Sequence, residues 1–215
     1  MNEPDEITTR IDRRLSRRTM LRRAIRGGLG VTAAALVSDV SRRALAGDAA
    51  LFGGARHQFT LLRPVRTVPP VSLMRVNGSA IDFASLRGKV VLVNFWATWC
   101  PACRSELPAL ERLQIAMGGA GFEVVAISVD RDGAAAVTPF LSRLNIRRLP
   151  VYLDAGGRTW SGDGDANAPF TLYGMPISYL VDPEGRIQGY LAGEADWSSE
   201  EARTLIGSYM RQPAR

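Results

Sequence analysis

The stretch that most constrains this chain is KVVLVNFWA, residues 89 to 97, a strand-length apolar run whose polar members are Lys89 at its start and Asn94. A strand with one wet face alternates apolar and polar residues, so a run that is apolar at both parities has to be covered on both faces. The stretch therefore reads as a strand buried on both faces. Directly after it, PACRSELPALERLQIAM places Leu107, Leu110, Leu113 and Ile115 at helical spacing. A buried strand passing at once into an amphipathic helix is the first half of a βαβ unit.

The rest of the chain extends that pattern. VSLMRV and AIDFASLRG read as short strands around an NGS turn, and FEVVAISVD is a second buried strand. AAAVTPFLSRLNI reads as a helix with Pro139 near its first turns or at a kink, and LPVYLD as a further strand. A glycine-rich loop follows. ISYLVD, PEG and RIQGYLAG then form a hairpin, and SSEEARTLIGSYM a closing helix with a serine N-cap and acids in its first turn. The order β, β, β, α, β, α, β, hairpin, α predicts an α/β sandwich domain over residues 70–213 with a mixed central sheet. Residues 47–69, with their prolines, glycines and lone His57, read as a linker.

The net charge of +6 looks at first like a nucleic-acid signature. Residues 1–46, however, hold ten arginines against five acids, and the remainder is balanced at 17 basic and 16 acidic residues. The body gives no reason to expect a nucleic-acid partner. The leader resembles a twin-arginine export signal: SRRTMLRR, then the weakly apolar GGLGVTAAALVSDV, then ALA at a cleavage position. A basic tail is the alternative. The apolar part falls short of the roughly 20 residues a spanning helix needs. Membrane contact is expected only if the signal stays uncleaved, and the protein is expected in the periplasm or at the extracytoplasmic face.

Cys100 and Cys103 are the only cysteines. In an oxidising compartment structural disulfides are common, yet a bridge across so short a loop stabilises little. The pair therefore reads as chemical. A zinc site would need two more ligands, and the chain has no other cysteine and only His57. Pro101 suits the first helical position, which makes Cys100 the N-cap, where the helix dipole favours a thiolate. Cys103, one turn on, lies deeper. Cys100 is expected to attack and Cys103 to resolve.

VVLVNFWATWCPACRSELPAL resembles the active-site segment of thioredoxin-fold proteins, in particular the extracytoplasmic TlpA/ResA-type thiol–disulfide oxidoreductases. YGMPISYLVDPEG, residues 173–185, resembles the same family's cis-proline loop, and the likeness runs from about residue 66 to 212. The resemblance implies a thioredoxin-like three-layer sandwich and a monomer that needs no cofactor beyond a redox-active Cys100–Cys103 disulfide. It makes Pro176 the cis-proline facing the dithiol, with the Met175 backbone turned outward for a client strand. Glu106 matches a carboxylate such proteins use beside the active-site helix, where it could take the Cys103 proton; the alternative is an exposed glutamate complementing the dipole. Asn94 departs from the thioredoxin pattern, which has an aspartate there, and more of the proton transfer then falls on Glu106. Trp99, Pro101 and Ala102 are expected to meet the client, and Trp96 to be core.

The activity implied is reduction of client disulfides in cytochrome c or respiratory oxidase biogenesis, with a membrane electron donor. Two rivals remain. A thiol peroxidase would carry a proline and a threonine where Val93 and Ala97 stand. A copper(I) chaperone could use both thiolates, although this fold's chaperones add a distal histidine. Asp163, Asp165 and Asn167 imitate the start of a calcium loop, but Ala168 and Gly174 occupy its glycine and bidentate-glutamate positions.

Overall fold

The computed structural model describes residues 52–53, 58–162 and 168–211. The expected leader, His57 and the calcium-like residues lie outside them. In chain order the elements are β1 (Thr60–Thr67), β2 (Ser72–Arg75), β3 (Ala80–Asp82), a 3-10 turn (Phe83–Leu86), β4 (Val90–Trp96) and α1 (Pro101–Met117). Then come β5 (Phe122–Ser128), α2 (Ala134–Arg143), β6 (Val151–Leu153), β7 (Trp160–Ser161), β8 (Phe170–Thr171), β9 (Ile177–Val181), β10 (Arg186–Ala192) and α3 (Glu200–Met210).

All seven residues of β4 are buried, as its two-sided apolar pattern requires. It lies inside an eight-stranded sheet of order β1-β10-β9-β4-β5-β6-β2-β3. β4, β5 and β6 run parallel, while β9 lies antiparallel to β4 and β10 antiparallel to β9. The sheet is mixed, and the whole is a thioredoxin-like α/β fold. Gly185 turns the β9–β10 hairpin at φ 75°, a left-handed conformation that favours glycine. A side chain there would also meet Arg87, whose guanidinium reaches the Glu184 carbonyl.

The linker expectation is corrected at β1. Thr60–Thr67 pairs antiparallel with β10, with its register slipping between Leu61 and Arg66. Pro64, in a cis peptide with Arg63, sits inside the slip. Edge strands tolerate proline and bulges, so this one shows no clean alternation to read.

The sandwich also differs from expectation in its layers. One core cluster joins Val90, Leu92 and Trp96 of β4 to Leu107 and Leu110 of α1, Val137 and Phe140 of α2, and Leu205 and Ile206 of α3. The opposite cluster holds Val91, Val93 and Phe95 with Phe83 and Leu86 of the 3-10 turn and Phe170 of β8. All three α-helices thus cover one face, and the third layer contains no α-helix among the described residues. Strands β4, β5 and β6 advance in one direction across the sheet, so two right-handed crossovers put α1 and α2 on the same side.

Phe52, upstream of β1, is 2% exposed and its ring lies 4.6 Å from that of Trp197. Phe52→Ala should destabilise the protein by about 3 kcal/mol in urea unfolding. A loss under about 0.5 kcal/mol would show that this segment does not dock.

Candidate active site

The parallel strands β4 and β5 end at the same edge of the sheet, where loops in such folds carry chemistry. Beyond β4 the chain turns through Thr98 and Trp99 into α1. Cys100 is the N-cap, in extended backbone at φ −92° and ψ 111°, and Pro101 starts the helix. The Cys103 N–H points at Cys100 Sγ from 3.2 Å. The same dipole end that caps the helix therefore faces the sulfur that would carry charge. A disulfide joins Cys100 to Cys103, and their exposures are 6% and 1%. Cys103 is the deeper sulfur, as the helical offset requires.

Trp99 is 66% exposed and Trp96 is fully buried. Pro101 is exposed and Ala102 half-buried. Phe95 pairs with Ile177 across β4 and β9, which sets Pro176 opposite Trp96 at the disulfide's edge of the sheet. Pro176 follows a cis peptide bond, as the family resemblance implied. Met175, just ahead of it, is half-buried, and its amide and carbonyl form no hydrogen bond among the described residues. Met175 and Trp99 both line a cleft of about 690 Å³, together with Val129, Trp160 and Leu172.

Glu106 is 2% exposed, so it is not a surface glutamate complementing the helix dipole. Oε1 accepts from the Ala195 N–H at 3.1 Å and from Trp197 Nε1 at 3.0 Å, and Oε2 from Asn94 Nδ2 at 2.8 Å. Burial pushes the carboxyl up to about 8 despite these donors, with the negative charge of Glu194 adding to the rise. At neutral pH it is largely protonated.

Asn94 suits such a partner. Its Nδ2 also donates to Ser178 Oγ at 2.9 Å, while its Oδ1 is buried without a partner. Rotating the amide by 180° presents that oxygen to the hydroxyl of a neutral Glu106. One residue thus serves both protonation states, which an aspartate in its place could not do without placing a second carboxyl beside the first.

Sequence reasoning missed a clamp at the active-site turn. Asp130, just past β5 and 4% exposed, accepts from the Thr98 N–H at 3.0 Å, Thr98 Oγ1 at 2.6 Å and Ser128 Oγ at 2.7 Å. It fixes Thr98, two residues ahead of Cys100. The available signal was its position: a carboxylate just after one parallel strand lies beside the loop that leaves its neighbour. Ser178 and Trp197 were missed because their partners are distant in sequence.

A reversible sulfur–sulfur bond at this edge of a mixed sheet, with a cis-proline strand alongside, defines a thiol–disulfide oxidoreductase of thioredoxin fold. The chain belongs to the redoxin family, whose model matches residues 65–206. It is 37% identical over 113 residues to the thiol:disulfide interchange protein DsbE of Pseudomonas aeruginosa, covering 53% of this chain and 56% of that one. It is 30% identical over 125 residues to the thiol-disulfide oxidoreductase ResA of Bacillus subtilis, covering 58% of this chain and 65% of that one. The crystal structure of a thiol:disulfide interchange protein of the thioredoxin family from Chlorobium tepidum superposes with a TM-score of 0.56 at 28% identity, covering 69% of this chain and 99% of that one.

The raised Glu106 value has a stability consequence. An unfolded glutamate ionises near 4.5 and the folded one near 8, so the folded state holds the extra proton between them. Stability contributed by the neutral carboxyl is complete below about pH 4.5 and is lost as pH rises through about 8. Wild type should lose on the order of 1 kcal/mol per pH unit across that window, and Glu106→Gln should flatten the slope. Parallel urea-unfolding series from pH 5 to 8 measure this; equal slopes would mean that Glu106 is charged in the folded protein.

Proposed function

We propose that this protein is an exported disulfide reductase acting on client proteins of cytochrome c or respiratory oxidase assembly. The observation that carries the reading is Cys100 at the N-cap of α1, with Cys103 behind it and a buried Asn94–Glu106 hydrogen bond joining β4 to the same helix. In the reduced form the Cys100 thiolate attacks one sulfur of a client disulfide. A Cys100–client bond forms, the client bond breaks, and the departing client sulfur leaves as thiolate. Cys103 then loses its proton, attacks Cys100 Sγ and closes the internal disulfide, releasing the second client thiol. Glu106 takes part in this proton transfer in its ionised minority form, and Asn94 follows its state by rotating.

A client strand reads the Met175 amide and carbonyl as a sheet edge, and Trp99 covers its flank. Pro101 and Ala102, between the cysteines, complete the contact surface. Two effects compete over the potential. The helix N-terminus stabilises the thiolate, and hence the dithiol; apolar enclosure makes a charged sulfur costly and favours the disulfide. With both sulfurs nearly excluded from water and a carboxyl held neutral nearby, enclosure prevails and the dithiol is reducing. Each turnover leaves the disulfide, so two electrons have to come from a membrane thiol donor. The arginine-rich leader and its small-residue site support export to the compartment where such clients mature.

Equilibration with glutathione should give a reduction potential well below about −200 mV. Cys100→Ser should abolish reduction of insulin disulfides, and Cys103→Ser should accumulate a reducible client adduct visible by mass. A potential above about −150 mV would make the protein an oxidant instead.

A further inference from the structure

Charge in the body of the chain is balanced overall but unevenly placed. From Gly133 to Leu153 there are three arginines, Arg143, Arg147 and Arg148, and no acid. Between Ala97 and Ser105 the charged residue is Arg104. The fold joins these stretches beside the disulfide. Thr98, Trp99 and Arg104 form one side of a cleft of about 340 Å³, and Phe140, Arg143 and Leu144 the other.

The cleft is built on a firm wall. Phe140 stacks on the buried Trp96, and the Arg143 guanidinium carbon lies 5.9 Å from the centre of the Phe140 ring. Glu111 of α1 pairs with none of these guanidinium groups among the described residues. Its Oε1 accepts from the backbone N–H groups of Arg147 and Arg148, both at 2.5 Å, and so anchors their loop. Among the described residues the ion pairs belong to Arg75, Lys89 and Arg186, and none to Arg104, Arg143, Arg147 or Arg148. Glu194 and Asp196 line a different cleft, shared with Arg112.

We infer that this basic band is a docking subsite for the acidic flank of a client polypeptide, an inference that rests on the oxidoreductase reading above. Trp99 is the shared wall: it borders both this cleft and the larger one that Met175 lines. A client whose cysteine meets Cys100 has to pass Trp99, and a carboxylate on that side then falls between Arg104 and Arg143. Two guanidinium forks suit carboxylates through paired hydrogen bonds. A membrane surface fits less well, because interfacial helices expose an apolar face, whereas Val137, Phe140 and Leu141 of α2 are buried in the core. Exposed charges of this kind act mainly on encounter rate and are sensitive to salt.

The test uses the reduced full-length protein and two disulfide-bridged peptides identical except for Asp or Lys pairs flanking the cysteine, with neutral hydroxyethyl disulfide as a reference. The ratio of kcat/KM for the acidic over the basic peptide should be about three to ten at low salt and fall towards one in 1 M salt. Arg104→Glu with Arg143→Glu should invert the ratio, and Arg147→Glu with Arg148→Glu should lower it less. A ratio reports charge recognition even where a variant loses overall rate, and the wild-type salt series needs no variant. A ratio near one with hydroxyethyl disulfide still reduced overturns the subsite alone; failure to reduce hydroxyethyl disulfide overturns the oxidoreductase reading beneath it. Arginine-dependent binding to phosphatidylglycerol vesicles, with a peptide ratio of one, would assign the band to membranes and overturn the proposal.

Discussion

One buried carboxyl group holds this structure together around its chemistry. Glu106 sits on the active-site helix, yet its hydrogen bonds run to the central strand through Asn94 and to the segment before the last helix through Ala195 and Trp197. Removing a partner from a buried polar network leaves the others unsatisfied, which costs more than the bond itself contributes. The helix bearing the cysteines is thus tied to the sheet by Glu106, and the turn that leads into it is tied to the end of β5 by Asp130. Each anchor is a carboxyl group, but one is enclosed and held largely neutral by burial, while the other accepts three donors from two side chains and a backbone amide.

That arrangement sets competing demands on the sulfurs. The N-cap position offers a partial positive charge to Cys100, and the surrounding apolar cluster withdraws solvent from both cysteines. Neither effect alone decides how readily the disulfide forms. A protein of this class tunes its driving force through the balance, in steps where about 30 mV corresponds to roughly 1.4 kcal/mol. Of the two residues between the cysteines, Pro101 is exposed and Ala102 half-buried.

The parts of the fold legible in the sequence were those governed by local pattern. The two-sided apolar run of β4, the helical spacing of Leu107, Leu110 and Leu113, and the Ser199 cap of α3 all carry short-range signatures that tertiary packing did not override. The Cys-x-x-Cys pair was legible because its spacing and the following proline are themselves a helix-start signal. Long-range features were not. Asn94, Ser178, Glu106 and Trp197 converge from four parts of the chain, and periodicity carries no information about that meeting. Ser178 faces Asn94 because β9 pairs antiparallel with β4 in that register. The placing of all helices on one face follows from strand order, which one sequence does not specify.

The strand at the sheet's border shows what its irregularity is good for. Thr60–Thr67 carries a proline without an N–H, a slip in register and two arginines along its length. A straight, fully bonded outer strand would offer a row of free amides and carbonyls to any neighbouring chain. This one presents a broken ladder. The features that hide it from a search for alternation are those that keep copies of the molecule from zipping together along that side.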